Sequence, residues 1–299
     1  MDVIKIDAEL LRKSALAAAH VAEQTRAHIE SEYDRHVPTI METLKADGPY
    51  GYMIFPQVLP DGAVKLPILT TWDEVRQGYE AAWQVSHMLA LESVMELRGA
   101  WYAFHEALST VRLVDSGEVV KTQIAVLMTA SNPDAKGITG EICWARAPRA
   151  RLGSGADDAE TDVSAQADET ALRLQLTELH DRYLESLRAA DLTGLLSVMN
   201  DGVQSSARNY VDDTGALIGL ESIEALGVYY QSFFDKYELL SVDLLQRVAQ
   251  EWYLFAETRF TVRPRAGAGG PLAFHTAEIF APAKDGRFIA HLGHGADPA

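Results

Sequence analysis

Apolar residues recur at spacings of three and four from Leu172 through Leu176, Leu179 and Tyr183 to Leu187, which marks one face of an amphipathic helix. Asp168 or Thr170 suits its N-cap, because a short side-chain oxygen there accepts a backbone N–H that the first turn leaves unpaired. A short second helix, LTGLLSVMN, follows Asp191 and stops at the Asn200-Asp201-Gly202 turn. Alternating and turn-bounded apolar runs then predict strands at 203–210 and 216–219, a helix from Leu220 to Phe234, and strands at 238–248, 251–262, 272–282 and 287–293. The first half predicts the same order with longer helices. It is helical over 7–46 with a break at Pro38, has strands at 52–58 and 64–69, a helix over 72–85, and strands at 87–96, 99–112, 119–129 and 138–145. Helix, helix, two strands, helix, four strands is an α+β order.

The shared plan is also a shared text. GAWYAFHEALSTVR (99–112) falls on QEWYLFAETRFTVR (250–263) at a constant offset of 151 positions, with seven of fourteen residues identical. A period this long exceeds solenoid repeats, so each copy is expected to be a complete globular unit. The repeated strand is apolar in both phases: Trp252, Leu254, Ala256, Phe260 and Val262 alternate with Tyr253 and Phe255. A strand apolar on both faces must be covered on both. Its own helices cover one; the sister copy is the economical cover for the other, which predicts two sheets packed face to face as an intrachain pseudo-dimer.

PRARLGSGADDAETDVSAQADET (148–170) has almost nothing large and apolar to bury and reads as a linker. The expected organisation is therefore one domain over 1–148, a flexible linker over 149–169 and a second domain over 170–299. The net charge of −17 on 299 residues disfavours nucleic-acid and anionic-membrane partners. No run of 18 apolar residues spans a bilayer and no export signal opens the chain, so a cytoplasmic location is expected. The single cysteine, Cys143, excludes an internal disulfide. AGAGG (266–270) lacks the Lys-Ser or Lys-Thr of a phosphate cradle, and no Gly-x-Ser-x-Gly elbow occurs.

The string LHDRYLESLRAADLTGLLSVMNDGV, with the closing DGRFIAHLGHGAD, resembles the nuclear transport factor 2-like superfamily, which includes SnoaL-like polyketide cyclases and ketosteroid isomerase. The positions that carry the resemblance are Tyr183, Leu187, Asp191, Asp201 and Asp285 to Phe288. It covers nearly all of 171–297 and, more loosely, 10–147. The resemblance implies two cystatin-like α+β cones, in which helices plug the concave side of a curved, mostly antiparallel sheet and leave an apolar cavity. It also implies pairing through the sheets and, in members that are enzymes, cofactor-free isomerisation, cyclisation, dehydration or epoxide opening.

Such chemistry needs an acid or base in a dry pocket and a donor for the enolate. The resemblance implies a histidine and an acid on the last two strands; His275 and His291 occupy those strands and are the candidate catalytic residues. Glu106 and Glu257 share a strand phase with Tyr102, Phe104, Tyr253 and Phe255. If that phase faces a cavity, Glu257 is a further candidate base and the other five line the ligand; the alternative pairs each glutamate with Arg112 or Arg263, or another basic group, as a repeated structural ion pair. His294 falls on the face opposite His291, against a two-histidine metal site. Tyr183 and, at the mouth of the first cone with Tyr50 and Phe55, Tyr52 are further candidate ligand contacts. His20, His28 and His36 lack an HExxH pattern, and no metal or cofactor is expected. The expected function is proton transfer on a small apolar carbonyl or hydroxyl compound, with a non-catalytic ligand-binding or scaffold protein as the alternative. Further homo-oligomerisation is left open.

Overall fold

The structure is a computed structural model, and it describes residues 8–46, 48–53, 57–58, 64–65, 67–130, 137–146, 168–212, 215–267 and 269–296. In the first half, α1 (Ala8–Asp34) and α2 (Val37–Met41) precede β1 (Gly51–Met53) and the ribbon of β2 (Gln57–Val58) and β3 (Val64–Lys65). Then come α3 (Trp72–Val85), β4 (Ser86–Arg98), β5 (Tyr102–Leu113), β6 (Val119–Thr129) and β7 (Gly140–Ala145). In the second half, α4 (Glu169–Ala189), α5 (Leu192–Ser197), β8 (Met199–Arg208) and β9 (Leu217–Leu220) lead to α6 (Ile223–Lys236). The strands β10 (Tyr237–Ala249), β11 (Leu254–Pro264), β12 (Leu272–Pro282) and β13 (Phe288–Gly295) follow.

The sheets have the orders β1-β7-β6-β5-β4 and β10-β11-β12-β13-β8-β9, so corresponding strands take corresponding places. Only the β1–β7 and β8–β13 pairings in them are parallel. Local devices are duplicated too. Register shifts fall at Met88/Ala90 and Ser93/Met95 in β4, and at Leu239/Ser241 and Leu244/Gln246 in β10, each pair 151 positions apart. Such bulges bend a long strand, which curves each sheet over its helices. Thr71 caps α3 in a capping box with Glu74, and Ser222, at the equivalent position, caps α6 through the Ala225 N–H.

The sequence-predicted bounds of α3 and β12 agree with the structure, and Asp168 is the N-cap of α4. The helical break falls at Arg35, whose φ of 51° is left-handed, rather than at Pro38. Pro38 sits in the first turn of α2, where a missing N–H costs nothing. The strand expected over 52–58 ends as β1 at Met53, and the expected linker lies, up to residue 167, outside the described residues.

Among the described residues, the three larger apolar clusters follow from strand alternation. One, under α1 to α3, holds Ile40, Tyr52, Tyr79, Val126, Met128 and Cys143. A second, under α4 to α6, holds Tyr183, Tyr230, Phe233, Phe260, Phe274 and Phe280. The third lies between the sheets and takes Tyr102, Phe104, Leu127 and Trp144 from one and Tyr253, Phe255, Ile279 and Leu292 from the other. Phe104 and Phe255, equivalent residues, stack there with centroids 4.3 Å apart. The molecule is two α+β units joined back to back through their sheets. Among the described residues, no helix is long and apolar enough to cross a membrane.

Candidate active site

Alternation along β12 sends Ala277, Ile279 and Ala281 into the seam between the sheets, and Phe274 and Phe280 toward the helices. Glu278 therefore faces into the second cone. His291 on β13 lies opposite Phe280 and faces the same way. Both are buried, at 6% and 1% exposure. His291 Nε2 is 2.9 Å from Glu278 Oε1, and its Nδ1 is 3.0 Å from Ser205 Oγ. With Glu278 ionised, Nε2–H donates to the carboxylate and Ser205 donates to Nδ1. Thr276 donates to Glu278 Oε2 at 3.1 Å. The imidazole stacks on Phe280 at 4.8 Å.

Two tyrosines close this network. The hydroxyls of Tyr183 on α4 and Tyr230 on α6 are 2.6 Å apart, and that of Tyr183 is 3.4 Å from His291 Nε2. Burial, and after it the charge of Glu278, pushes both well above the usual tyrosine range, so they remain proton donors. His180, stacked on Tyr183, is held neutral: burial and then the Arg247 guanidinium bring it down to about 3.

A pocket of about 30 Å³ opens against Glu278, walled by Tyr229, Tyr230, Phe233, Phe260 and Phe274. That is room for a water or two, so a larger occupant must part the aromatic walls. Gly293, opposite Glu278 on β13, also lines it; a Cβ there would stand 2.9 Å from Glu278 Cγ. A carboxylate, an imidazole behind it and tyrosine donors beside an aromatic pocket are the parts of a proton-transfer site.

The sequence-predicted residues divide between the cone and the seam. His291 and Tyr183 lie in the cone as described. His275 and Glu257 do not: His275 Nδ1 is 3.0 Å from Glu257 Oε1 on the seam side of the sheet. Glu106, Tyr102, Phe104, Tyr253 and Phe255 are likewise seam residues rather than cavity lining. The phase they share is the one that the sister sheet covers. Of the expected basic partners, Glu257 meets His275 rather than Arg263, and among the described residues no ion pair joins Glu106 to Arg112. The Tyr253 hydroxyl donates to Glu106 at 2.8 Å, and the Tyr102 hydroxyl donates to Glu257 at 2.9 Å. His294, on the face opposite His291, donates from Nε2 to the Gly51 carbonyl across the seam at 2.9 Å; burial brings it down to about 4.

In the first cone Tyr52 is fully buried beside His28 and Tyr79 rather than at a mouth, and Phe55 lies outside the described residues. His28, which lacks an HExxH pattern, is fully buried and lies near Glu32 and Glu141, one donor atom from each within 4.8 Å of the others.

Sequence reasoning missed Glu278. The acid that meets His291 on β13 is Glu278 on β12, the strand that also carries His275. The signal was the phase of Glu278, which matches Phe274 and Phe280.

No protein-family model matches the chain, and no curated protein matches it either. Solved structures do. The chain is similar to SnoaL-like and ketosteroid isomerase-like proteins. RV0760c from Mycobacterium tuberculosis is 14% identical with a TM-score of 0.34, the match covering 43% of this chain and 92% of that one. A protein described as a SnoaL-like polyketide cyclase, from Jannaschia, is 16% identical with a TM-score of 0.37, over 43% of this chain and 90% of that one. One with a ketosteroid isomerase-like fold, from Catenulispora acidiphila, is 11% identical with a TM-score of 0.34, over 39% and 84%. Each match covers less than half of this chain, and the roles given to its residues rest on its own geometry.

Proposed function

We propose that the second cone binds a small, largely apolar carbonyl compound and moves a proton on it without a cofactor. The observation that carries this reading is Glu278, a carboxylate in the wall of an aromatic pocket with His291 behind it. Glu278 takes a proton from the carbon beside the carbonyl. The Tyr230 hydroxyl, at the same wall, donates to the oxygen on which the enolate charge develops. Returning the proton to a different carbon completes an isomerisation. His291 is a positioning residue, holding one carboxylate oxygen while Ser205 fixes its tautomer.

A second reading, a binding module without turnover, is favoured by the small pocket and by hydroxyls already engaged: Tyr183 with Tyr230, and Tyr229 with the Arg208 carbonyl at 2.8 Å. One experiment separates the two. The purified chain is incubated with 2-tetralone in D2O, binding is followed by ligand-observed NMR and loss of the α-proton signal by ¹H NMR. Exchange above the buffer rate that disappears in Glu278→Gln supports the enzyme. Binding without exchange supports the module, and neither binding nor exchange removes this class of ligand.

A further inference from the structure

The first cone has its own buried polar cluster, independent of the second. His28 on α1 is fully buried, with Nε2 3.6 Å from Glu141 Oε2 and 3.8 Å from Glu32 Oε1; one donor atom from each residue lies within 4.8 Å of the others. The imidazole is oriented. Thr43 donates its only hydroxyl proton to the Ile40 carbonyl at 2.6 Å, so its oxygen accepts from His28 Nδ1–H, also at 2.6 Å. Nε2 is therefore the lone-pair atom; it has the Tyr79 hydroxyl 2.8 Å away and the two carboxylates 3.6 and 3.8 Å away. A histidine whose far N–H is held by a fixed acceptor is the arrangement that orients imidazole ligands in metal sites.

Two further observations point to a missing partner. Among the described residues, no lysine or arginine pairs with Glu32 or Glu141, so two carboxylates face each other with one imidazole between them. Burying uncompensated negative charge is costly, and a bound cation offsets it. Tyr52, opposite Glu141 in the β1–β7 register, has a fully buried hydroxyl with no hydrogen-bond partner. Its ring centroid is 6.3 Å from those of both His28 and Tyr79, and Tyr79 itself donates to Glu141 at 3.0 Å. The side chain of Glu32 is 19% exposed, which leaves the cluster an approach from solvent.

We infer that His28, Glu32 and Glu141 form a site for a divalent transition metal of the Zn²⁺ or Mn²⁺ class, with the Tyr52 hydroxyl beside it. One nitrogen and two carboxylate oxygens suit such ions. Ligand atoms at roughly 2.0–2.2 Å from a tetrahedral ion stand about 3.4 Å apart, so His28 Nε2 need draw only slightly nearer to each carboxylate, now at 3.6 and 3.8 Å, while the two carboxylates close from a separation within 4.8 Å.

The full-length chain, stripped with EDTA, is titrated with ZnSO4 or MnCl2 by isothermal titration calorimetry, with the thermal midpoint read in parallel. Wild type binds one ion per chain and melts higher with it. Glu141→Gln and Glu32→Gln each weaken binding, while Glu224→Gln, a surface control on α6, does not. Thr43→Val keeps all three ligands and removes only the acceptor behind Nδ1, and it weakens binding by about 10- to 100-fold. If Glu141→Gln does not fold, the partly exposed Glu32 and the near-isosteric Thr43 substitutions carry the test. No binding of either ion to wild type overturns the inference. So does binding that Glu32→Gln and Thr43→Val leave unchanged, because the ion then sits elsewhere.

Discussion

The Tyr253 hydroxyl reaches across the seam to Glu106 at 2.8 Å, and Tyr102 and Glu257, their repeat equivalents, make the mirrored contact at 2.9 Å. Duplication has thus left each unit donating a tyrosine to the other's seam glutamate, around the stacked Phe104 and Phe255. The two contacts differ in support. Glu257 also accepts from His275 at 3.0 Å, whereas Glu106 has only Gln250, at 3.3 Å. Tyr253→Phe is therefore predicted to cost more stability than Tyr102→Phe. The expected loss for Tyr253→Phe is about 1.5–3 kcal/mol, the worth of a hydrogen bond to a charged group. Urea unfolding of both variants, and of Tyr253→Phe with Glu106→Gln as a double-mutant cycle, measures it; zero coupling in the cycle would contradict the contact.

At the cone, Gly293 leaves the space that Glu278 occupies. The methyl of Gly293→Ala would stand 2.9 Å from Glu278 Cγ and 3.4 Å from the Ser206 carbonyl, so the carboxylate must move. Overpacking of this kind costs about 1–3 kcal/mol, which the fold is predicted to survive. Activity is predicted to fall further, by on the order of 10²-fold, since displacement of a reacting group by about 1 Å has that effect. Urea midpoints and exchange rates of the same preparation test the two halves of this statement.

Acid should weaken the fold through two histidines. In the folded chain His180 titrates near about 3 and His294 near about 4, both chiefly because burial disfavours their charged forms. Unfolded, each titrates near about 6.5, so between those values the unfolded chain binds the extra protons. Stability therefore rises with pH across that window and is lost as pH falls through it, at about 1.4 kcal/mol per pH unit for each histidine. Comparing urea midpoints from pH 7 to pH 4.5, His180→Gln is predicted to flatten the fall. Parallel curves would contradict a buried neutral His180.

The architecture was legible because its signals are local and doubled. The start of α3 coincides with a capping box, and the two-phase apolar pattern of 251–262 required a second layer, which the sister sheet supplies. The site was legible only in part. His291 was found by its strand, but its partner depends on the β12–β13 register, which sets Phe280 opposite His291 and brings Glu278 within reach. Assigning the aromatic phase to a cavity placed Glu257 in a pocket, and the resemblance placed His275 there, although the apolar pattern also required a covered seam. The meeting of His28 with Glu141 joins a helix to a strand far along the chain, and periodicity carries no information about such a contact.

Cone and seam each hold a glutamate near a histidine, the buried Glu278 with His291 and the partly buried Glu257 with His275. The most direct measurement is α-proton exchange of 2-tetralone in D2O by wild type, Glu278→Gln and Glu257→Gln under identical conditions. Wild type and Glu257→Gln are predicted to exchange at equal rates while Glu278→Gln falls to the buffer rate. Exchange that survives in Glu278→Gln, or vanishes in Glu257→Gln with the fold intact, would contradict a site in the second cone.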